Sequence, residues 1–298
     1  MSCRWVDKFI DIYYRSGMEN TASLELLPDD VLKEIYLLEE HAKRLETRER
    51  AQEEFMSYVH HVYDNFIEGT HHRIISEKLE RIAKGELKRL IVNMPPRHSK
   101  SEFASYLMPS WFLGRNPKLK IIQATMNTEL AVRFGRKVRD LIADPKYREV
   151  FPNTDLKPDS QAAGRWETAA GGEYFAAGVG AAMTGRGADL LIIDDPHSEQ
   201  DALSTTAYDN AYEWYTSGPR QRLQPGGSII IVQTRWSKKD ITGRLLTAQS
   251  KDLMADQWEV VEFPAIMPSG EPLWPEFWKK DELLKVKASL SVGKWNAQ

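Results

Sequence analysis

Leu90-Ile91-Val92-Asn93-Met94 runs straight into Pro95-Pro96-Arg97-His98-Ser99-Lys100-Ser101. The apolar run, set off by Gly85 before it and a proline pair after it, predicts a short buried strand. The seven residues that follow predict a tight loop, and Glu102 onward predicts a helix that stops near Pro109. Strand, loop and helix in that order aim free backbone N–H groups and a helix N-terminus at an anion. A lysine followed by a hydroxyl residue suits that place. The amine neutralises the β- and γ-phosphates and the hydroxyl ligates Mg²⁺. The literal pattern G-x-x-x-x-G-K-[ST] is not met, because Met94 and Ser99 stand at its two glycine positions. Ser99 is the costlier departure, since glycine reaches positive φ with little strain. Taken alone, the loop reads equally well as a polar surface loop.

Working outward, the alternation of strand and helix continues. Upstream, Pro28-Asp29-Asp30 opens a helical stripe of Val31, Leu32, Ile35, Leu38, Ala42 and Leu45, with mixed charge on its other faces. Helical signal persists to about Phe66, and Gly69 ends it. A second helix is expected over 71–84, with Gly85 as its cap. Downstream, strands are expected over 119–124, 173–177, 190–193, 228–233 and 258–261. Between them, Asn127 caps a helix lined by Leu130, Phe134, Val138 and Leu141, and helices are expected over 202–217 and 238–250. Residues 145–172 read as loops and short strands, and Pro225-Gly226-Gly227 as a turn. Short apolar strands alternating with helices indicate an α/β layer fold with a central, mostly parallel sheet flanked by helices. Pro264, Pro268, Gly270, Pro272 and Pro275 mark a boundary. The expected organisation is an N-terminal helical segment (1–54), a core (55–263) and a lid or linker segment (264–298).

The chain has 298 residues, with 40 Lys and Arg against 43 Asp and Glu, a formal net charge of −3. That balance excludes a grip on nucleic acid through overall positive charge and leaves room for a local basic stripe. Arg133, Arg136, Lys137 and Arg139 share one predicted helix and read either as phosphate contacts or as a solvated face. A single cysteine, Cys3, allows no intrachain disulfide and no cysteine-based zinc site. The first residues lack the apolar core of a signal peptide. The longest aliphatic runs fall far short of the roughly 18 residues of a membrane span. The expectation is a soluble intracellular protein.

Two further strand ends carry chemistry. Leu190-Leu191-Ile192-Ile193 ends in Asp194-Asp195, and ligands of open α/β sheets sit at the carboxyl ends of such strands. One carboxylate can hold the Mg²⁺ shell and the other can orient the attacking water. Successive strand side chains point opposite ways, so the chain must turn at once for both to serve one site. Gln233-Thr234-Arg235-Trp236 closes a third strand, where polar residues can sense a γ-phosphate.

These residues, with Thr184-Gly185-Arg186-Gly187-Ala188-Asp189 before the strand ending in Asp194 and with Leu273-Trp274-Pro275-Glu276 later, strongly resemble the large terminase subunit of tailed bacteriophages. The resemblance covers roughly residues 55–298. It implies a RecA-like P-loop (ASCE-type) ATPase that uses ATP and Mg²⁺ to drive double-stranded DNA into a procapsid. It further implies partners in the portal protein and the small terminase subunit. It implies a homo-oligomeric ring, a pentamer when docked, and a monomer in solution, in the host cell cytoplasm and away from membranes.

Carried over by position, Pro96, Arg97, His98, Ser99, Lys100 and Ser101 would form the nucleotide-binding loop. Lys100 would be the phosphate lysine, and Ser101 and Asp194 the metal ligands. Asp195 would be the catalytic carboxylate, where many relatives have glutamate, and Thr234 would lie in the coupling motif. Arg97 and Arg186 would be the candidates for an arginine finger, acting on the chain's own nucleotide or a neighbour's. His71 and His72 stand where relatives have an adenine-binding glutamine motif. The family's nuclease segment lies beyond Gln298, so no DNA cleavage is expected of these residues. The competing readings are a helicase-like translocase unrelated to capsids and a non-catalytic docking module with a degraded phosphate loop.

Overall fold

The computed structural model describes residues 29–297; Cys3, Pro28 and the rest of 1–28 lie outside the described residues, as does Gln298. The chain divides into two compact units, 1–50 and 51–298. The described part of the first lies within a helix, α1 (Asp29–Glu53), with Asp29 and Asp30 in its first turn. Its charged positions are mostly exposed, as a solvated face requires, and Arg44 pairs with Glu40 one turn away at 2.6 Å.

The second unit is built on one eight-stranded sheet in the order β3-β4-β5-β2-β6-β7-β1-β8. In chain order the strands are β1 (Arg89–Asn93), β2 (Lys120–Thr125), β3 (Leu156–Ala162), β4 (Arg165–Thr168), β5 (Glu173–Gly178), β6 (Ala188–Asp194), β7 (Leu223–Gln233) and β8 (Glu259–Glu262). From β5 to β8 every neighbouring pair is parallel, and β3 and β4 extend the sheet antiparallel. Helices flank it: α2 (Phe55–Val62), α3 (Thr70–Ala83), α4 (Met108–Arg115), α5 (Thr128–Ala143), α6 (Pro145–Val150), α7 (Thr205–Ser217), α8 (Ile241–Lys251), α9 (Lys280–Ser289) and α10 (Val292–Asn296). This is the expected α/β layering, a central and mostly parallel sheet flanked by helices. β1, β6 and β7 read as continuous apolar runs because both faces of each are covered. Leu90, Val92, Leu190, Ile192, Ile230 and Val232 pack on one face with Phe55, Phe103 and Trp111. Ile91, Leu191, Ile193, Ile229 and Ile231 pack on the other with Tyr215, Ile241 and Trp258. No helix among the described residues is long and apolar enough to cross a membrane.

Several elements differ from the sequence reading. The helix expected to reach Phe66 breaks at Glu54 and ends at Val62, and Asn65 adopts φ 55. Gly69 caps the start of α3 rather than ending what precedes it. Pro109 does not stop the helix after the loop. A π-helical turn (Glu102–Leu107) runs into α4 with Pro109 in the first turn of α4, where the missing N–H is tolerated. Residues 145–172 hold a short helix, α6, which Asp144 caps by accepting from the Lys146 N–H at 2.8 Å. Pro225-Gly226-Gly227 lies inside β7, beside a register shift against β6 and with Gly226 at φ 79.

Gly135 sets how closely α5 lies on the sheet. A Cβ there would stand 2.5 Å from the Ala163 carbonyl oxygen and 3.0 Å from the Tyr174 ring. The Gly135 carbonyl also accepts from Trp166 Nε1 at 3.0 Å, and Trp166 stacks on Tyr174 at 4.8 Å. Alanine gains up to about 1 kcal/mol of helix propensity over glycine, while overpacking a dense site costs about 1–3 kcal/mol. Gly135→Ala is therefore expected to lower stability by about 1–2 kcal/mol in urea unfolding, whereas the exposed-helix rule predicts a gain.

Candidate active site

The central order β6-β7-β1 brings three strand ends side by side. Asn93 lies level with Gln233, and Asp194 with Val232. The three stretches singled out in the sequence leave these ends, and the structure brings most of their residues together.

The loop after β1 turns through two left-handed residues, Arg97 at φ 62 and Ser99 at φ 73. Ser99 thus takes the conformation that a glycine would adopt freely, so the missing glycine is replaced by strain rather than by another loop shape. The Ser99 carbonyl accepts from the Phe103 N–H at 3.0 Å, which starts the helical turn. Pro96 and Arg97 are exposed at the loop tip, and the Arg97 carbonyl meets Trp278 Nε1 at 3.5 Å.

Lys100 is 6% exposed and its Nζ lies 2.9 Å from Asp195 Oδ2. Asp195 Oδ1 accepts from the Thr234 N–H at 2.8 Å, and the Asp195 N–H donates to the Val232 carbonyl at 2.8 Å. One carboxylate therefore joins the lysine loop, the end of β6 and the exit of β7. Asp195 has φ 42, which supplies the immediate turn that two adjacent strand carboxylates need to face one site. Asp194 stays behind it, 2% exposed. Ser101 Oγ donates to Asp194 Oδ1 at 2.9 Å, and Ser105 Oγ donates to Oδ2 at 2.6 Å. Burial, and then the neighbouring Asp195 charge, push the Asp194 carboxyl upward against the pull of Lys100 and the two hydroxyls.

His98 is buried, with Nδ1 donating to the Pro96 carbonyl at 2.8 Å and Nε2 without a partner among the described residues. Burial lowers its pKa, so it is neutral. His71 and His72 are likewise buried, their rings 3.8 Å apart, with Trp274 at 5.5 and 4.8 Å. Burial takes His71 down to about 4 and His72 to about 2. All three are uncharged members of a packed aromatic wall behind the loop.

Arg186 is not brought to the carboxylates. It precedes β6 at the end opposite Asp194, about 20 Å away along a strand rising 3.3 Å per residue. It pairs with Glu173 and lies 3.8 Å over the Phe175 ring. On α5, Lys137 is tied to Glu102 at 2.8 Å and Arg139 to Asp140 and the Gln161 carbonyl, while Arg133 and Arg136 are exposed.

Sequence reasoning missed two contributors, Ser105 and Asp240, and had singled out Gln233 beside Thr234. Ser105 carried a faint signal, since it stands one helical turn after Ser101. Asp240, fully buried, accepts from the Gly243 N–H at 2.8 Å to cap α8 and holds Arg235 at 3.0 Å. Gln233 Nε2 donates to Thr242 Oγ1 at 2.7 Å.

No family model matches the chain, and no curated protein matches it. Solved structures that resemble it include two large terminases of phages. The large terminase of bacteriophage HK97 matches over 75% of this chain and 48% of its own, at 12% identity and a TM-score of 0.47. The chain thus spans about half the length of that protein. A mutant ATPase domain of the Thermus phage P74-26 large terminase matches over 74% of this chain and 90% of its own, at 15% identity and a TM-score of 0.46.

Two outcomes follow from this geometry. Left-handed backbone costs a non-glycine residue about 1–2 kcal/mol, and glycine gives back about 0.5–1 kcal/mol in unfolded-state entropy. Ser99→Gly is therefore expected to be as stable as the wild type or up to about 1 kcal/mol more stable in urea unfolding. The second concerns Asp194. Its folded pKa lies above its ordinary value of 3.8, so the native state binds more protons than the unfolded state. Its contribution then becomes destabilising as pH rises from about 4 upward. Asp194→Asn should remove that loss. The variant should melt higher than the wild type at about pH 8, with the gap closing as pH falls toward 4.

Proposed function

We propose that the chain is the ATPase motor domain of a DNA-packaging terminase large subunit. It hydrolyses ATP with Mg²⁺ and moves double-stranded DNA into a procapsid. The observation that carries the reading is the convergence of Lys100, Asp194, Asp195 and Thr234 at three adjacent strand ends, in the order that the ordered motif set of the family implies.

Phosphoryl transfer depends on positioning and charge neutralisation. The backbone N–H groups of the loop face the triphosphate, and Lys100 exchanges Asp195 for its β- and γ-oxygens. That exchange frees Asp195 to align the attacking water. Aspartate is one methylene shorter than the glutamate of many relatives, and its left-handed backbone is the feature that carries it toward Lys100. A buried carboxylate that accepts from two hydroxyls is a donor set suited to a hard divalent cation, with Ser101 and Asp194 as its holders. Bound there, Mg²⁺ supplies charge neutralisation at the phosphates. Thr234, bonded through its N–H to Asp195, transmits a change at that carboxylate to β7. Arg97 is the arginine available to the triphosphate. Arg186, held by Glu173, remains a candidate only toward a neighbouring subunit. Arg133 and Arg136 are the groups of α5 free to meet DNA phosphates. The portal protein, the small subunit and a ring of copies complete the reading.

The test is Mg²⁺-dependent ATP hydrolysis. General-base and water-positioning groups contribute about 10²–10⁴-fold. Asp195→Asn and Lys100→Ala are each expected to lower turnover at least about 100-fold while remaining folded. Wild-type turnover that survives Asp195→Asn removes this carboxylate from the chemistry. Turnover that no capsid-and-DNA mixture stimulates favours a translocase of another kind.

A further inference from the structure

Ser105 has no part in the family resemblance, yet it makes one of the shorter contacts of the site. It is fully buried, and its neighbours on the turn, Phe103, Ala104 and Leu107, are buried and apolar. Alanine would satisfy packing at such a place. A buried hydroxyl without a partner is destabilising, so the polarity has a use. Its Oγ donates to Asp194 Oδ2 at 2.6 Å, and Ser101 donates to Oδ1 at 2.9 Å. The two hydroxyls of one helix thus occupy both oxygens of a buried carboxylate.

The helix is altered at this point. Glu102–Leu107 is a π-helical turn, with the Met108 N–H bonded to the Phe103 carbonyl five residues back. Single π turns recur at functional sites because they re-aim side chains. Here the widened turn carries Ser105 to the tip of β6.

We propose that Ser105 is a positioning residue for the cation site. By holding Oδ2, it fixes the plane of the Asp194 carboxylate so that Oδ1 keeps the Ser101 proton and the Ser101 lone pairs face the cation. An ionised carboxylate only accepts, so both protons belong to the serines. With Oδ2 held, Asp194 keeps one orientation beside Ser101, so that the two present a fixed pair of oxygens to the cation. The inference rests on the Mg²⁺–nucleotide reading of the site and adds a residue to it.

The experiment titrates free Mg²⁺ against the affinity for a fluorescent ATP analogue, using the full chain. The variants are Ser105→Ala, Ser105→Cys and Ser105→Thr, each checked for its melting midpoint. Removing outer-shell partners of a metal site typically costs about 10–100-fold in metal affinity. Ser105→Ala is expected to raise the Mg²⁺ concentration for half-maximal enhancement at least about ten-fold, with binding in EDTA unchanged. Ser105→Thr, which keeps the hydroxyl, should restore the wild-type midpoint. Ser105→Cys is close in shape and a weak donor, and should reproduce the alanine effect if alanine fails to fold. A Mg²⁺ midpoint within two-fold of wild type in the alanine or cysteine variant overturns the proposal. So does an equal loss of binding with and without Mg²⁺, which marks a general packing defect. A wild type that binds no nucleotide at all overturns the reading of the site instead.

Discussion

A lysine ammonium taken out of water must meet an opposite charge, and here that charge is Asp195. The 2.9 Å contact between them is the constraint around which the site is arranged. Asp195 reaches Lys100 because its backbone turns left-handed immediately after β6, and it is held there by the Thr234 N–H from β7. The same turn leaves Asp194 buried beneath, where the Ser101 and Ser105 hydroxyls donate to it. One ion pair thus links three strand ends and sets two adjacent carboxylates apart, Asp195 partly exposed and ion-paired and Asp194 buried.

The cost of this arrangement is visible in the backbone. Of the four non-glycine residues with positive φ among those described, three are Arg97, Ser99 and Asp195. Strain of this kind persists only where surrounding structure over-determines it, and it gathers at functional sites. The supports are evident. The Ser99 carbonyl is tied to the Phe103 N–H, His98 is packed behind the loop with Trp278 stacked on it at 6.2 Å, and β1 is paired on both sides. The upward push on the Asp194 carboxyl belongs to the same account, a charge kept where burial disfavours it.

Much of this was legible in the chain. β1, β6 and β7 stand out as apolar runs because they are covered on both faces, and the residues just past each run had to lie at one edge of a parallel sheet. Lys100-Ser101 and Asp194-Asp195 could therefore be placed before any coordinates. What was not legible depends on contacts across the fold. Ser105 looks like any helical serine until β6 is laid beside it. Arg186 is a candidate only through the family resemblance, and its segment enters β6 at the end opposite Asp194. His71 and His72, at the place of the relatives' adenine-binding motif, are packed against Trp274, a contact with a residue far along the chain. Pro109 looked like a stop, and the π turn before it lets the helix continue.

The central claim is that Lys100 waits on Asp195 and leaves it for a triphosphate. A crystal structure of the chain with Mg²⁺ and a nonhydrolysable ATP analogue tests it most directly. The account predicts the Lys100 ammonium on a β- or γ-phosphate oxygen, with Asp195 released to face a water near the terminal phosphate. An analogue bound elsewhere, with the Lys100–Asp195 contact intact, would contradict it.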